Sequence, residues 1–191
     1  MNQALRAALA DLKPQEVHGR FERHCALRWD GLRASAAGGR WGARGAYEVL
    51  YLGRPRESIV AEAYRHLVED ELDAPAQLAA TVLERRVFAY DVAVTNFLDL
   101  RPSRAREQLS LADDALLSAV GDYHDCQAIG AGAHELGLHG ILAPAATGLG
   151  ETLALFALNL SSDQWPAITG TDIWHGLPDD PRRLRPADDD D

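Results

Sequence analysis

The stretch that most constrains the fold is a short apolar run, VLYL at residues 49–52, with Gly45 before it and Gly53 and Pro55 after it. A short apolar run with turn-forming residues at both ends is typical of a buried strand. Pro55 suits the first turn of a helix, where a missing N–H has no intrahelical partner to lose. The residues that follow place apolar side chains at helical spacing. Residues 38–68 are therefore predicted to form a loop, a buried strand and an amphipathic helix in succession.

Three polar side chains fall on this unit: Arg40 in the loop, Tyr51 in the strand and Glu62 in the helix. Because the three segments adjoin, a guanidinium, a phenol and a carboxylate are expected within reach of one another, which indicates a ligand site. A plainer alternative stands for two of them. Glu62 also suits a helix-surface carboxylate paired with His66 or Arg65, and Tyr51 also suits a core tyrosine with a satisfied hydroxyl.

The composition limits the class of ligand. A chain of 191 residues, 47% of them apolar and 25% charged, is expected to fold as one globular domain. Its formal net charge of −10 argues against direct binding of nucleic acid, which requires a basic surface. A small anion remains compatible, because a local group of arginines suffices to bind one. Such a group occurs early in the chain: Arg23, Arg28, Arg33, Arg40, Arg44, Arg54 and Arg56.

The two cysteines, Cys25 and Cys126, make neither a disulfide framework nor a zinc site, so no metal is expected. The N-terminus lacks the basic start and apolar core of a signal peptide. No apolar run approaches the roughly 20 residues needed to span a bilayer. The sequence therefore predicts a cytoplasmic protein without a membrane partner.

Periodicity predicts further elements on both sides of the central unit. An early strand falls within residues 17–29. Helices are expected over residues 3–12, 77–86, 102–109 and 123–136, and strands over residues 87–94, 140–143 and 153–158. After residue 161 the pattern weakens, and the aspartates at 188–191 indicate a solvated acidic end.

Several short motifs follow one another in a characteristic order: GRW at 39–41, VLYL at 49–52, VAE at 60–62, GD at 121–122 with CQ at 126–127, and GILAP at 140–144. In order and spacing they resemble the RES-domain proteins, the toxins of RES–Xre toxin–antitoxin systems, over roughly residues 18–160. The resemblance implies a single α+β domain similar to the ADP-ribosyltransferase fold, with a mixed central sheet and flanking helices. It divides the chain into an N-terminal helical arm (1–16), the RES domain (17–160) and a C-terminal extension with the acidic tail (161–191).

The resemblance also implies an activity. RES toxins act on NAD⁺ as a substrate and cleave its nicotinamide–ribose bond, with water or phosphate taking the place of nicotinamide. An NAD⁺ glycohydrolase or phosphorylase that serves as a toxin is therefore expected. The alternatives are an ADP-ribosyltransferase, or a catalytically impaired RES-like module that binds a nucleotide or a protein. The implied partner is a helix-turn-helix antitoxin of the Xre type that covers the active-site cleft, and the family is compatible with a homodimer within that complex.

The same resemblance assigns roles to individual residues. Glu62 would hold the ribose hydroxyls or stabilise the cationic sugar, and Arg23 and Arg40 would bind the diphosphate. Tyr51 would pack against the nicotinamide or form a hydrogen bond with the substrate. In the early strand, Arg23 followed by His24 matches the first family motif, which makes His24 a further NAD⁺ contact.

In the first family motif, Arg20 is an alternative to Arg23, one register away.

Two positions depart from the family pattern. The family serine is expected just before the Cys-Gln pair, where His124 stands nearest, and the later Pro-Ser-Ala reads PAA at residues 144–146. A histidine can also supply a hydrogen bond, so His124 is assigned the catalytic place of the serine. This change motivates the binding-module alternative.

Overall fold

The structure, a computed structural model, describes residues 3–68, 84–117 and 123–183. Within these ranges one mixed sheet contains the strands β1 (Gln15–Ala26), β2 (Val49–Arg54), β3 (Arg85–Asp99), β4 (Gly140–Pro144), β5 (Glu151–Phe156) and β6 (Ala167–Trp174). The flanking helices are α1 (Gln3–Asp11), α2 (Arg56–Leu67), α3 (Ser103–Gln108), α4 (Asp113–Leu116) and α5 (His124–Glu135). The predicted α+β class, with a mixed central sheet and flanking helices, is confirmed. None of the helices in the described ranges is long and apolar enough to cross a bilayer.

The sheet closes on itself. Its hydrogen-bonded order is β1-β2-β5-β4-β3-β6, and β1 also pairs with β3, so the first five strands form a ring. β3 and β4 run parallel, whereas the other pairs are antiparallel. β1 meets β2 through a single residue pair, Glu22 with Gly53. The two strands therefore diverge on either side of this pair.

β2 divides the core into two clusters, because its side chains alternate between the two faces of the sheet. Leu50 and Leu52 pack in one cluster with Phe21 of β1. Val49 and Tyr51 belong to the other cluster, on the side of α5. Leu50 is fully buried, and truncation of such a side chain to alanine costs about 2–5 kcal/mol. The predicted buried strand is confirmed.

α2 follows β2 directly and folds back against it. The helix begins just after Pro55, as predicted, and buries Ile59, Val60 and Ala63. Gly53 makes this close return feasible, because a β-carbon there would lie 2.8 Å from Cγ2 of Ile59. A side chain at position 53 would push the helix away from the strand.

The prediction of a helix over residues 77–86 is wrong at its end, since Arg85 and Arg86 begin β3. The segment 77–83 lies outside the described residues. Arg85 and Arg86 pair with β1 on one side and with β6 on the other, and these pairings override the local helical pattern. The strand predicted over residues 87–94 is part of a longer strand, β3, which continues to Asp99.

β6 comes from the segment that the sequence assigned to a C-terminal extension. It pairs with β3 from Ala167 to Trp174 and adds a strand to the sheet. Most of its residues are exposed, and Trp174 is the buried one. Because the strand is joined mainly through its backbone, it lacks the apolar alternation by which strands are detected in a sequence.

Candidate active site

A pocket of about 230 Å³ opens between β1, β2, α2 and the loop that precedes β2. The single ladder pair between β1 and β2 lies in its wall, since Glu22 and Gly53 both line it. Five of the residues selected from the sequence also line this pocket: Arg23, His24, Arg40, Tyr51 and Glu62.

The loop that carries Arg40 is fixed on both sides of that residue. Gln127 of α5 donates from its Nε2 to the Gly39 carbonyl at 3.0 Å. The N–H of Trp41 donates to the hydroxyl of Tyr51 at 3.0 Å. The residues before and after Arg40 are thus tied to α5 and to β2, and this arrangement holds the Arg40 backbone at the pocket.

The same loop packs closely against α5. A β-carbon on Gly130 would lie 2.1 Å from the Trp41 carbonyl oxygen, so glycine is required for this approach. The Tyr47 hydroxyl donates to the same carbonyl at 2.7 Å. A larger residue at position 130 would displace the loop, and Arg40 with it.

The side chain of Arg40 is itself anchored. Its Nη1 donates to the Leu116 carbonyl at 3.0 Å and its Nη2 to the Pro144 carbonyl at 2.8 Å. Only 7% of the residue is exposed, and its Cζ lies 5.1 Å from the centroid of the Trp41 ring. Burial lowers the pKa of Arg40, although a guanidinium stays protonated at any physiological pH. The pocket therefore contains a fixed positive charge, and these hydrogen bonds go to neutral carbonyls.

Glu62 faces the pocket from α2. Its Oε2 lies 3.4 Å from Nε2 of His66, one helical turn further on. Burial favours the protonated acid, but the hydrogen bond from His66 and the charges of His66, Arg40 and Arg65 outweigh it, so the pKa of Glu62 is lowered. Glu62 is therefore a carboxylate at neutral pH. The pairing with His66 and the position in the pocket, which the sequence left as alternatives, occur together.

Tyr51 reaches the pocket from β2. Burial raises the pKa of its phenol well above the ordinary range, against the opposing effects of the Trp41 N–H and the Arg40 charge. The hydroxyl is thus neutral. It accepts a hydrogen bond from Trp41 and retains its own proton as a donor.

Arg23 projects from β1 and fastens the following loop. Its Nη1 donates to the Gly31 carbonyl at 3.1 Å and to the Arg33 carbonyl at 2.8 Å. The alternative residue, Arg20, pairs with Glu22 at 3.4 Å, its side chain is 72% exposed, and it is not among the pocket residues. The structure therefore brings Arg23, rather than Arg20, to the pocket.

His24 is a neutral ring in the wall of the pocket. Burial and the positive charges of Arg85, His66 and Arg23 lower its pKa to about 3. Its Nδ1 accepts a hydrogen bond from Nε of Arg85 at 3.3 Å, so its proton resides on Nε2. The ring stacks on Trp174 with the centroids 5.6 Å apart. The unpredicted strand β6 thus contributes to the support of the site.

The structure does not bring His124 into the pocket. It is the first residue of α5, its side chain is 92% exposed, and its Nδ1 lies 3.1 Å from a carboxylate oxygen of Asp125. Its neighbour Tyr123 lines the pocket in its place.

Sequence reasoning did not assign several polar residues that line the pocket: Glu22, Ser58, His66, Tyr123 and Thr152. For two of them the sequence held an indication. Ser58 and His66 lie four residues before and after Glu62, and this spacing places all three on one face of a helix. Thr152 offered no such indication, because β5 reaches the pocket only through its pairing with β2.

These groups define what the site can do chemically. Guanidinium groups bind phosphates through charge-assisted hydrogen bonds. A carboxylate held ionised beside them stabilises positive charge that develops on a bound ligand. In the described ranges, no group of three or more His, Cys, Asp or Glu side chains is placed to hold a metal ion.

Comparison with known proteins gives relatives of one kind. Proteins named NAD(+) phosphorylase MbcT, from Mycobacterium bovis and from strains of Mycobacterium tuberculosis, are 33% identical to this chain over 127 residues. The match covers 65% of this chain and 63% of the length of those relatives.

The fold has a solved counterpart. A chain in the crystal structure of the M. tuberculosis MbcT–MbcA toxin–antitoxin complex superimposes with a TM-score of 0.77, covering 91% of this chain and 93% of that chain. The sequence identity over this superposition is 22%, so the likeness concerns the fold.

The family itself is identified by its sequence profile. The profile described as RES domain matches residues 13–174, which include every described strand and the whole pocket. The protein therefore belongs to the RES domain family.

Proposed function

We propose that this protein cleaves NAD⁺ at the bond between nicotinamide and ribose, and that it acts as the toxin of a toxin–antitoxin pair. The observation that carries the proposal is one pocket that combines the ionised Glu62 with the guanidinium groups of Arg23 and Arg40. Family membership and the name of the MbcT relatives support the same substrate.

Arg23 and Arg40 bind the diphosphate in this proposal. Arg40 is held in place before the ligand arrives, so little side-chain entropy is lost on binding. A pocket of about 230 Å³ is smaller than the roughly 300–1,000 Å³ that encloses a drug-sized ligand. It therefore encloses one end of the dinucleotide, and the remainder extends outside.

Glu62 assists the cleavage. When the bond between ribose C1′ and the nicotinamide nitrogen breaks, its electron pair leaves with the nitrogen, and nicotinamide departs as a neutral molecule. The positive charge moves onto the ribose ring, where an adjacent carboxylate stabilises it, as in glycosidases. The neutral Tyr51 packs against the departing ring or donates a hydrogen bond to the substrate.

The acceptor then bonds to C1′. Phosphate gives ADP-ribose with a phosphate on this same carbon, whereas water gives ADP-ribose and releases a proton. The relatives are named phosphorylases, which favours phosphate. Transfer to a macromolecule would make the protein an ADP-ribosyltransferase, and we propose that the fold is of that general type. The proposed reaction uses no metal, and unchanged turnover in the presence of a chelator is the expected result.

We further propose an antitoxin of the helix-turn-helix Xre type as the partner and the cytoplasm as the place of action. The similar fold in a toxin–antitoxin complex supports a protein partner. A homodimer within that complex is part of the same proposal, and light scattering of the purified pair would measure it.

The test is nicotinamide release from NAD⁺, measured with and without phosphate. The variant Glu62→Gln is expected to lose about 100- to 1,000-fold in kcat, because it removes the charge that stabilises the cationic sugar. Glu57→Gln is the matched control, since Glu57 is an exposed residue in the first turn of the same helix. Absence of turnover by the native protein under both conditions would refute the proposal.

A binding module is the second candidate. It is favoured by the position of His124, which stands nearest the family serine yet is exposed and absent from the pocket. Calorimetry separates the two functions: binding of ADP-ribose without release of nicotinamide from NAD⁺ identifies a binding module.

A further inference from the structure

The hydroxyl of Ser58 is a buried polar group that has no hydrogen-bond partner among the residues in the described ranges. Ser58 lies in the first turn of α2, and 1% of the residue is exposed. Its Oγ forms no hydrogen bond with any residue that the structure describes. It belongs to the wall of the same pocket as Glu62.

Such a hydroxyl lowers the stability of the free protein. Buried side-chain oxygens are hydrogen-bonded in most proteins, and one left without a partner costs about 1–3 kcal/mol. An alanine would fit this space and the first turn of a helix without that cost. A bound ligand that offers a hydrogen bond would remove the penalty.

The position of Ser58 relative to the site favours a ligand. Ser58 and Glu62 are four residues apart on α2, so they share one face of the helix. The oxygen lies beside Gly53, where a β-carbon would be 3.7 Å from it. A serine side chain reorients by rotation about one bond, so a ligand can engage the hydroxyl without movement of the backbone.

The surrounding charges indicate the kind of group that Ser58 would bind. Two carboxylates, Glu22 and Glu62, line the same pocket. Glu22 is already paired, since Nε of Arg56 donates to it at 2.9 Å. A bound anion would be repelled by the Glu62 carboxylate, with the single Ser58 hydroxyl to stabilise the anion, and this arrangement is unfavourable. An uncharged donor or acceptor meets no such repulsion.

We propose that Ser58 is a substrate-binding residue whose hydroxyl bonds to an uncharged polar group of the nucleotide, either a ribose hydroxyl or the carboxamide of nicotinamide. The inference rests on the proposed function for the identity of the nucleotide. It assigns the pocket's end near Gly53 to a neutral part of the substrate and leaves the diphosphate to Arg23 and Arg40.

The test compares the native protein with Ser58→Ala in two measurements. Thermal unfolding of the free protein should show an unchanged or higher midpoint for the variant, because an unsatisfied buried hydroxyl is removed. The affinity for ADP-ribose, measured by calorimetry, or for nicotinamide, measured by its competition with the substrate, should be weakened about 3- to 10-fold. This change is the equivalent of one hydrogen bond. Ser103→Ala is the control, since Ser103 begins α3 and is exposed outside the pocket.

The probes separate the two chemical sources. Weaker binding of ADP-ribose assigns the Ser58 hydroxyl to a ribose hydroxyl. Weaker inhibition by nicotinamide, with ADP-ribose binding unchanged, assigns it to the carboxamide. Either result supports the proposal. A change confined to inorganic phosphate overturns it, as does a lower unfolding midpoint with unchanged ligand binding. The proposal is also overturned if the native protein binds neither ADP-ribose nor nicotinamide nor inorganic phosphate. If ADP-ribose binding depends on Ser58 while the native protein releases no nicotinamide, the enzymatic function fails and the assignment of Ser58 stands.

Discussion

Nε2 of His66 lies 3.4 Å from Oε2 of Glu62, and the two residues are one turn apart on the face of α2 that lines the pocket. Burial alone would favour the neutral acid at position 62, yet the pKa of Glu62 is lowered, with the hydrogen bond from His66 as the largest favourable cause. His66 thus acts through Glu62. It keeps the carboxylate charged in a place where the surroundings disfavour charge.

Replacement of His66 should shift the pH dependence of turnover. In His66→Ala, the hydrogen bond from His66 to the carboxylate is lost, while burial still favours the protonated acid. The pKa of Glu62 therefore rises from its lowered value. The proposed reaction requires the carboxylate and should be lost as the pH falls through this pKa, so the acid limb of the kcat/KM profile should move to higher pH. The profile of nicotinamide release measures the shift.

A matched control is available for this experiment. His18 is another exposed histidine near a carboxylate, 3.6 Å from Glu16, and it lies outside the pocket. His18→Ala should leave the profile in place. An acid limb that is unchanged in His66→Ala would show that His66 does not hold Glu62 ionised.

Arg40→Ala should weaken both the fold and the binding of NAD⁺. The variant leaves the Leu116 and Pro144 carbonyls without the donors they have now, at a cost of about 1–3 kcal/mol in the free energy of unfolding. Urea unfolding and calorimetry with ADP-ribose measure the two effects. Arg44→Ala changes an exposed residue of the same loop and should alter neither. Native affinity for ADP-ribose in Arg40→Ala would exclude Arg40 from the diphosphate site.

His24 should make the protein sensitive to acid. Its pKa is about 3 in the folded protein, whereas an unfolded histidine titrates near about 6.5. Between these values the unfolded chain binds a proton that the folded protein does not, so stability falls as the pH decreases through this window. From pH 6.5 to pH 5 this single group accounts for about 2 kcal/mol of the unfolding free energy.

The measurement is urea unfolding at both pH values in the native protein and in His24→Gln. Between the two pH values, the free energy of unfolding should fall by about that much less in His24→Gln than in the native protein, because glutamine does not titrate. His18→Gln, a change at an exposed histidine, should behave as the native protein. Equal losses in His24→Gln and the native protein would contradict the lowered pKa.

The strand and helix at the centre of the chain could be predicted because their pattern is local. Residues 49–52 are apolar and bounded by turn residues, and Glu62 follows at a spacing that puts it on the helix face beside the strand. This pattern therefore predicts that Arg40, Tyr51 and Glu62 lie together, and all three line one pocket. Helical spacing also places Ser58 and His66 on this face, although neither is among the predicted site residues.

Other parts of the site depend on contacts that are distant in the chain. The groups that anchor Arg40 are 76 and 104 residues away, and no local pattern indicates them. The stacking of His24 on Trp174 requires β6, whose exposed side chains carry no alternation. The prediction for His124 depends on its distance from the Cys-Gln pair, whereas its position at the start of α5 leaves its side chain in solvent.

An inhibiting antitoxin should compete with the nucleotide for the pocket. Arg40 carries a fixed charge and Arg23 supplies a second guanidinium in the pocket of a protein whose formal net charge is −10, so a partner that covers these two groups should present a carboxylate. Removal of one member of such a buried pair costs about 2–5 kcal/mol. Saturating ADP-ribose should therefore weaken binding of the proposed helix-turn-helix antitoxin, and Arg40→Lys should weaken it as well, because lysine lacks the planar fork. Arg183→Ala, an exposed change beside Asp180, should have no effect. Antitoxin affinity that is indifferent to ADP-ribose would place the inhibitory contact elsewhere on the protein.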